Sequence, residues 1–293
     1  MKVRFGVGLG AGTAPAEFGG VVDRLERLGI DSLWLSEQVY SAAVDPFVGL
    51  AYALSRTSAL KVGTSVAVLP GRHPVLVAKQ LASLAALAPK RVLPVFGLRP
   101  ARSTEHGLFP VPQGRRAAVF DESLRLLKSL LSNESVDFDG EFFSVGSARI
   151  GPLPAKPLDI WLGGTAPGGL RRVGRFGDGW LGSFLSPVDA GRAVTTIKAA
   201  AAEAGREIEE DHFGISLSLA EDGISDELAA VLRQRNPHTD PRDLIATSWS
   251  ELHRQLDGYL ANGLTKFVLY HRGPGPFDEF ADRFAAELLP RQN

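Results

Sequence analysis

Pro157-Leu158-Asp159-Ile160-Trp161-Leu162-Gly163-Gly164, followed by Leu170-Arg171-Arg172-Val173-Gly174-Arg175-Phe176-Gly177-Asp178-Gly179-Trp180, is the stretch on which the fold turns. An apolar run ends in a glycine pair, a short basic segment with helical spacing follows, and another apolar run opens at Asp178-Gly179-Trp180. Strand, flexible turn, helix, strand is the repeating unit of a parallel sheet with helical crossovers. Paired glycines after an apolar strand let backbone N–H groups come close to a ligand, as a phosphate or other anion requires. On its own the pair could equally serve a tight turn. Its place in a chain of alternating strands and helices gives it weight.

Working outward, the same unit recurs. Val3–Leu9 reads as a strand and Pro15–Leu28 as a helix with Phe18, Val21, Val22, Leu25 and Leu28 on its buried face. Strands are then expected at Ile30–Leu35, Leu60–Leu69 and Arg91–Phe96, with helices at Pro46–Ser55 and Pro74–Leu87. Residues 99–113 are rich in proline, glycine and charge and read as a long surface connection. Helix Arg115–Leu131 leads to a small hairpin, Val136–Val145, centred on Asp139-Gly140. Beyond it come strands Leu158–Leu162, Trp180–Phe184, Phe213–Leu219 and Lys266–Tyr270. The helices between and after them are Gly169–Phe176, Pro187–Ala204, a region from Ser225, a long helix over Leu244–Leu260, and Phe277–Leu288.

Eight strand candidates interleaved with helices in 293 residues predict an α/β fold. The expected form is a (β/α)8 TIM barrel, a single domain over residues 1–293, with insertions after strands 4 and 7. A doubly wound dinucleotide fold is disfavoured, because Gly6, Gly8, Gly10 and Gly12 alternate and do not fall in the G-x-G-x-x-G spacing.

Composition narrows the function. With 44% hydrophobic residues the chain can bury a large core without disulfides. A net charge of -1, with lysine and arginine spread evenly, gives no reason to expect a nucleic-acid partner. Absence of cysteine excludes disulfides, thiolate metal sites and a cysteine nucleophile. Six histidines without matched acidic spacing argue against a metal. No membrane-length apolar run or leader signal is read, so a cytoplasmic protein is expected.

In a barrel the ligand sits at the C-terminal ends of the strands. Those ends offer Gly8 and Gly10; Ser36, Glu37 and Gln38; Thr64, Ser65 and Val66, leading to Arg72 and His73; Gly97 and Arg99; Gly163, Gly164 and Thr165; Ser183 and Phe184; Glu221; and His271 and Arg272. No H-E-x-x-H, P-loop or G-x-S-x-G motif is present. A mouth of glycine, apolar side chains and a few hydrogen-bonding groups suits a large flat cofactor better than hydrolysis, for which Glu37 is the one convincing carboxylate.

Each candidate also has a plainer reading. Glu37 either exchanges a proton or pairs with an arginine; Gln38 contacts cofactor or substrate, or merely its own loop. His73 caps the helix at Pro74 or meets a substrate. Arg116 and Glu122 do not face each other on their helix and read as anchors between elements, Asp178 as a turn residue, and Trp161 and Trp180 as core. Arg171, Arg172 and Arg175 could add positive charge beside the glycine pair.

Gly29-Ile30-Asp31-Ser32-Leu33-Trp34-Leu35-Ser36-Glu37, Pro74–Leu84, the pair Arg116 and Glu122, and the stretch Pro157–Trp180, in this order, resemble the bacterial luciferase-like superfamily of flavin- and F420-dependent oxidoreductases, and more closely its F420-dependent actinobacterial branch. The resemblance covers nearly the whole chain. It implies a barrel binding F420, or alternatively FMN, at its mouth, with the ring against the third strand and a bulge or cis peptide near Ser65-Val66. It implies cofactor contacts at Gly8, Thr64, Ser65, Val66 and Gly97, and phosphate contacts at Gly163, Gly164 and Thr165, with Glu37 and Gln38 as the catalytic pair. It further implies a small organic substrate and a homodimer. In two places the chain departs from the branch. Where Asp-His or Glu-His is usual the chain has Glu37-Gln38, and glutamine does not shuttle protons at neutral pH. Where Ser-Gly-Gly-Arg is usual it has Ala88-Pro89-Lys90-Arg91.

The expected activity is hydride transfer between F420 and a small organic substrate. Alternatives are an FMN-dependent monooxygenase fed by a partner reductase, and a non-catalytic flavin-binding barrel.

Overall fold

Side-chain alternation along the first strand explains how the sheet is filled. Phe5, Val7 and Leu9 turn outward into the layer beneath the helices, while Gly6 and Gly8 face inward. A Cβ at Gly8 would lie 2.4 Å from the Tyr270 ring, so that inner position must stay empty for the tyrosine. The computed structural model describes residues 2–235, 239–273 and 275–293. Its first half runs β1 (Arg4–Leu9), α1 (Pro15–Arg27), β2 (Ser32–Leu35), α2 (Pro46–Arg56), β3 (Lys61–Thr64), β4 (Ala67–Val68), α3 (Pro74–Leu87), β5 (Val92–Leu93), β6 (Val95–Gly97), α4 (Arg116–Ser132), β7 (Val136–Asp139) and β8 (Ser144–Ala148). Its second half runs β9 (Trp161–Gly163), α5 (Pro167–Phe176), β10 (Gly179–Ser183), α6 (Pro187–Glu203), β11 (Phe213–Leu219), α7 (Asp226–Arg235), α8 (Pro241–Leu244), α9 (Trp249–Ala261), β12 (Lys266–His271) and α10 (Phe277–Leu288). Proline opens α1, α2, α3, α5, α6 and α8, where its missing N–H would have had no helical partner.

The closed eight-stranded (β/α)8 TIM barrel expected from the sequence is corrected. The main sheet has ten strands, all parallel, in the order β4-β6-β9-β10-β11-β12-β1-β2-β3-β5. It curls through about 330° without closing as one eight-stranded ladder. The reason lies in the runs at 60–69 and 91–97. The first divides into β3 and β4 at Ser65–Val66, whose peptide bond is cis. The second divides into β5 and β6 at Pro94, which has no N–H to give a ladder; its carbonyl accepts from the Trp161 N–H at 3.0 Å. Val62 then pairs with Val92 on one side of the break, and Ala67 with Phe96 on the other.

Two apolar layers result. The outer layer packs the helices on the sheet; there Phe5 stacks on Phe267 with centroids 5.3 Å apart. The inner layer gathers Trp34, Val95, Leu181, Val268 and Tyr270, with Val66, Leu93 and Trp161 against them. The long connection after β6 contains a 3-10 turn over Ser103–Leu108, and the one after β11 carries α7 and α8. The helix expected over Leu244–Leu260 begins only at Trp249, after α8 has ended at Leu244: Ser248 caps α9, accepting from the Glu251 N–H at 3.2 Å, while Glu251 accepts from the Thr247 N–H at 2.8 Å. No helix among the described residues is long and apolar enough to cross a membrane.

The hairpin β7–β8 stands outside the main sheet and is held by one carboxylate. Glu122, 2% exposed, accepts backbone N–H bonds from Glu141 (2.9 Å), Phe142 (2.8 Å) and Phe143 (2.8 Å). Glu122→Ala is therefore expected to destabilise the fold by about 3 kcal/mol, because charged acceptors are lost and the donors are left behind. Urea unfolding measures this, and hydrogen exchange should quicken first at Glu141–Phe143.

Candidate active site

The carboxyl ends of the strands form a mouth whose floor is Val66. A Cβ at Gly97 would lie 2.6 Å from Val66 Cγ2, and one at Gly163 would lie 2.8 Å from Val66 Cγ1. Bare backbone on β6 and on β9, the next strand beyond it, thus leaves room for the two methyls of the half-buried valine. Ser65 is half-buried beside it.

Hydroxyl groups gather behind this floor. Tyr270, near the end of β12, donates to Ser65 Oγ at 2.9 Å, and its hydroxyl lies 3.0 Å from Ser36 Oγ. Ser36 donates to the Ser65 carbonyl at 3.0 Å, and Ser65 Oγ lies 3.5 Å from Ser216 Oγ. Burial raises the Tyr270 pKa above the usual phenol value, against the opposing pull of the Ser36 and Ser65 hydrogen bonds and of Arg272. Arg272 lies over the Tyr270 ring, 5.2 Å from its centroid, and its Nε reaches Ser218 Oγ at 3.4 Å.

The expected site residues divide. Glu37 is brought to an arginine: Arg72 Nη2 bonds Oε1, Arg72 Nη1 bonds Oε2 at 2.9 Å, and the Val68 N–H donates to Oε2 at 2.7 Å. A carboxylate so engaged and 7% exposed holds the loop after β4 and is not placed to trade protons with a ligand. Gln38 is half-buried at the mouth, its carbonyl accepting from Ser41 Oγ at 2.8 Å. Thr64 is turned away: 1% exposed, its hydroxyl donates to the Val95 carbonyl at 2.7 Å and accepts from the Val95 N–H at 2.8 Å. Gly8 makes room for Tyr270 and does not face the mouth alone. His73 caps α3, its Nδ1 accepting from the Val75 N–H at 3.3 Å.

Further along the rim the mouth turns basic. Gly164 and Thr165 are exposed, Gly164 has φ +106°, and Ala166 gives α5 no side-chain cap. Gly163 and Gly97 sit on adjacent paired strands, since Phe96 is in register with Leu162. Just past Gly97, a cleft of about 370 Å³ is lined by Leu98, Arg99, Val111, Pro112, Gln113 and Arg116. Arg116 Nη2 donates to the Phe109 carbonyl at 2.7 Å, but its Nη1 is buried with no partner among the described residues. Burial, then the nearby Arg99 charge, pulls the Arg116 pKa below the usual guanidinium value. Two cations facing a cleft, one with an unused buried donor, form a seat for an anion. Of the charge expected from α5, Arg172 is paired with Asp121, Arg175 lies over the Phe176 ring, and Arg171 is exposed. Asp178 is structural, bonded to Lys128 (2.6 Å), Arg206 (3.0 Å) and the Ile160 N–H (3.0 Å).

Sequence reading missed Arg116 and Tyr270 as site residues. A signal existed for the first: Arg115-Arg116 opens α4, where the helix dipole disfavours cations unless an anion joins them. For Tyr270 the signal was its inward register, two residues from Val268.

Comparison with known proteins agrees with this architecture. The chain is 26% identical over 314 residues to an F420-dependent glucose-6-phosphate dehydrogenase of Kineococcus radiotolerans, covering 94% of this chain and 93% of that one. Among solved structures, an F420-dependent secondary alcohol dehydrogenase in complex with an F420-acetone adduct shares the fold at TM-score 0.83 and 18% identity, over 100% of both chains. The FMN complex of the oxygenating constituent of 3,6-diketocamphane monooxygenase from Pseudomonas putida shares it at TM-score 0.79 and 17% identity, over 100% of this chain and 99% of that one. The family model described as luciferase-like monooxygenase matches residues 1–289, and the chain accordingly belongs to the luciferase-like superfamily of flavin- and F420-dependent oxidoreductases.

Proposed function

We propose that this enzyme moves a hydride between coenzyme F420 and a small organic substrate. The observation that carries the reading is Arg116, whose Nη1 is buried with no partner among the described residues, lining with Arg99 a cleft that follows β6, the strand paired with β9 and its Gly163 end. Arg99, Arg116 and the backbone of Gly163, Gly164 and Thr165 would hold the anionic tail. The Val66 shelf would take the ring, with Ser65 and Gln38 at its edge. The bound cofactor supplies or accepts the hydride; the chain's own residues orient it, keep water from the Val66 side and hydrogen-bond the polar edge. The relatives that match along most of the chain and are named as F420-dependent dehydrogenases support F420 over FMN.

Fluorescence titration of the purified protein with F420 and with FMN tests this, with F420 the tighter ligand by about tenfold or more. Gly163→Val should weaken that binding by about 30-fold, since a Cβ there already meets Val66 at 2.8 Å and two further methyls would push the shelf aside. Unchanged affinity would remove β9 from the site. A second reading, an FMN-dependent monooxygenase supplied with reduced flavin by a partner reductase, is favoured by the family's description and by the fold shared with an FMN-bound monooxygenase component. Tighter FMN than F420 binding would select it.

A further inference from the structure

Two-electron reduction of a carbonyl or imine leaves an anionic oxygen or nitrogen that must take a proton, and the reverse oxidation must release one. Several of the groups that ordinarily do this are engaged elsewhere, while buried Glu105, which accepts from the Tyr40 N–H at 2.8 Å, has its other oxygen without a partner among the described residues. Glu37 is held by Arg72 and Val68, and residue 38 is glutamine. His73 caps α3, His271 stacks on Phe280 with centroids 4.7 Å apart, and His253 pairs with Glu287. What meets the floor of the mouth is the run of hydroxyls from Ser36 through Tyr270 to Ser65 and Ser216.

We propose that Tyr270, acting through Ser65, relays the proton that accompanies hydride transfer, in place of a histidine after β2. The proposal rests on the reading of the mouth as the redox site. In the reducing direction, hydride from the reduced cofactor forms the new C–H bond and the substrate C=O π bond breaks. The oxygen takes the Ser65 hydroxyl proton, Ser65 takes the Tyr270 proton, and Ser36, turning its hydroxyl from the Ser65 carbonyl, gives its proton to Tyr270. Ser36 is then reprotonated by water. Beside Ser36 lies a crevice of about 10 Å³, lined by Leu9, Gly10, Thr13 and Val44, which is at the lower limit for one water molecule. The groups around Tyr270 suit the role: β1 presents Gly8, the segment just after β2 Ser36, and β11 Ser216 and Ser218. Arg272 is the charged group over its ring, poised to favour a transient phenolate. Tyr270 does not itself line the mouth, so it is a positioning and relay residue.

Three measurements decide the matter. Protein loaded with reduced F420 is mixed with menadione, whose reduction takes a hydride and a proton, in light and heavy water. Tyr270→Phe should slow single turnover by about 100-fold and lose the solvent isotope effect with F420 affinity unchanged, and Ser65→Ala should show the same loss of rate and isotope effect at saturating F420. Uniform replacement of tyrosine by 3-fluorotyrosine, a stronger acid, should move the alkaline limb of the parent's rate profile to lower pH, which a purely structural tyrosine would not do. In the cofactor-free protein, the fluorine resonance removed by Tyr270→Phe should shift, and its titration midpoint rise, in Ser36→Ala and Ser65→Ala. Parental turnover and isotope effect in Tyr270→Phe, an alkaline limb indifferent to fluorotyrosine, or a resonance indifferent to both serine changes would overturn the relay. Failure of the parent to bind F420 or FMN would instead end the reading of the mouth, and the cofactor-free measurement would still judge the hydroxyl chain.

Discussion

Arg116→Met should weaken cofactor binding by about 100-fold, or ~2.8 kcal/mol, while leaving the folded protein no less stable. The asymmetry follows from how the arginine is placed. Its Nη2 bonds the Phe109 carbonyl, but Nη1 is buried without a partner among the described residues, and the charge stands near Arg99 at the N-terminal end of α4. Without an anion, this cation is desolvated, repelled by its neighbour and opposed by the helix dipole; a methionine of similar length removes all of these while filling the same space. With an anion bound, the unused donor is satisfied and the two cations share one counter-charge. The measurement is the pair of dissociation constant and unfolding midpoint, with Arg115→Met as control, since Arg115 reaches out to the exposed Glu141 at 2.6 Å. Unaltered affinity in Arg116→Met would remove the cleft from the site.

Glu37→Ala should destabilise the fold by about 3–5 kcal/mol, the range for removing one member of a buried ion pair. Arg72 would be left over the Phe47 and Phe109 rings (5.6 and 4.9 Å to the guanidinium carbon) without its carboxylate, and the Val68 N–H without its acceptor. The double variant Glu37→Leu with Arg72→Met should recover most of that loss, because apolar side chains of similar volume can replace both charges. Urea unfolding of the single and double variants measures the coupling. If Glu37 instead traded protons with substrate, Glu37→Gln would fold like the parent and lose turnover alone.

Helix-forming segments were readable where local chemistry and packing agree. Pro74–Leu87 and Phe277–Leu288 form helices over the residues read from the sequence, and Phe213–Leu219 forms its strand, because proline entry and apolar period leave no competing choice. The third and fourth strands were readable as apolar runs but not as broken ones. Nothing in the side chains of 60–69 marks the division at Ser65–Val66; the family resemblance located it. Pro94, by contrast, is a visible break in its strand. Ser248 and Glu251 likewise spelled a capping box inside what was read as one continuous helix. In the site, glycines at strand ends were visible, whereas their purpose was not. Gly8 clears space for Tyr270, and Gly97 and Gly163 clear it for Val66, which only the register between strands reveals. Glu37 was legible as a rim carboxylate with two readings, and the distance to Arg72 chose between them.

The valine clasped by two bare backbones gives the protein an unequal tolerance to evolutionary change. Larger residues at position 66 would press on the backbone at Gly97 and Gly163, so drift toward isoleucine or phenylalanine would have to await a concerted remodelling of those two successive strands. Alanine, in contrast, would leave a shallow hollow. Natural or laboratory diversification at position 66 can therefore proceed by carving material away and scarcely at all by adding it.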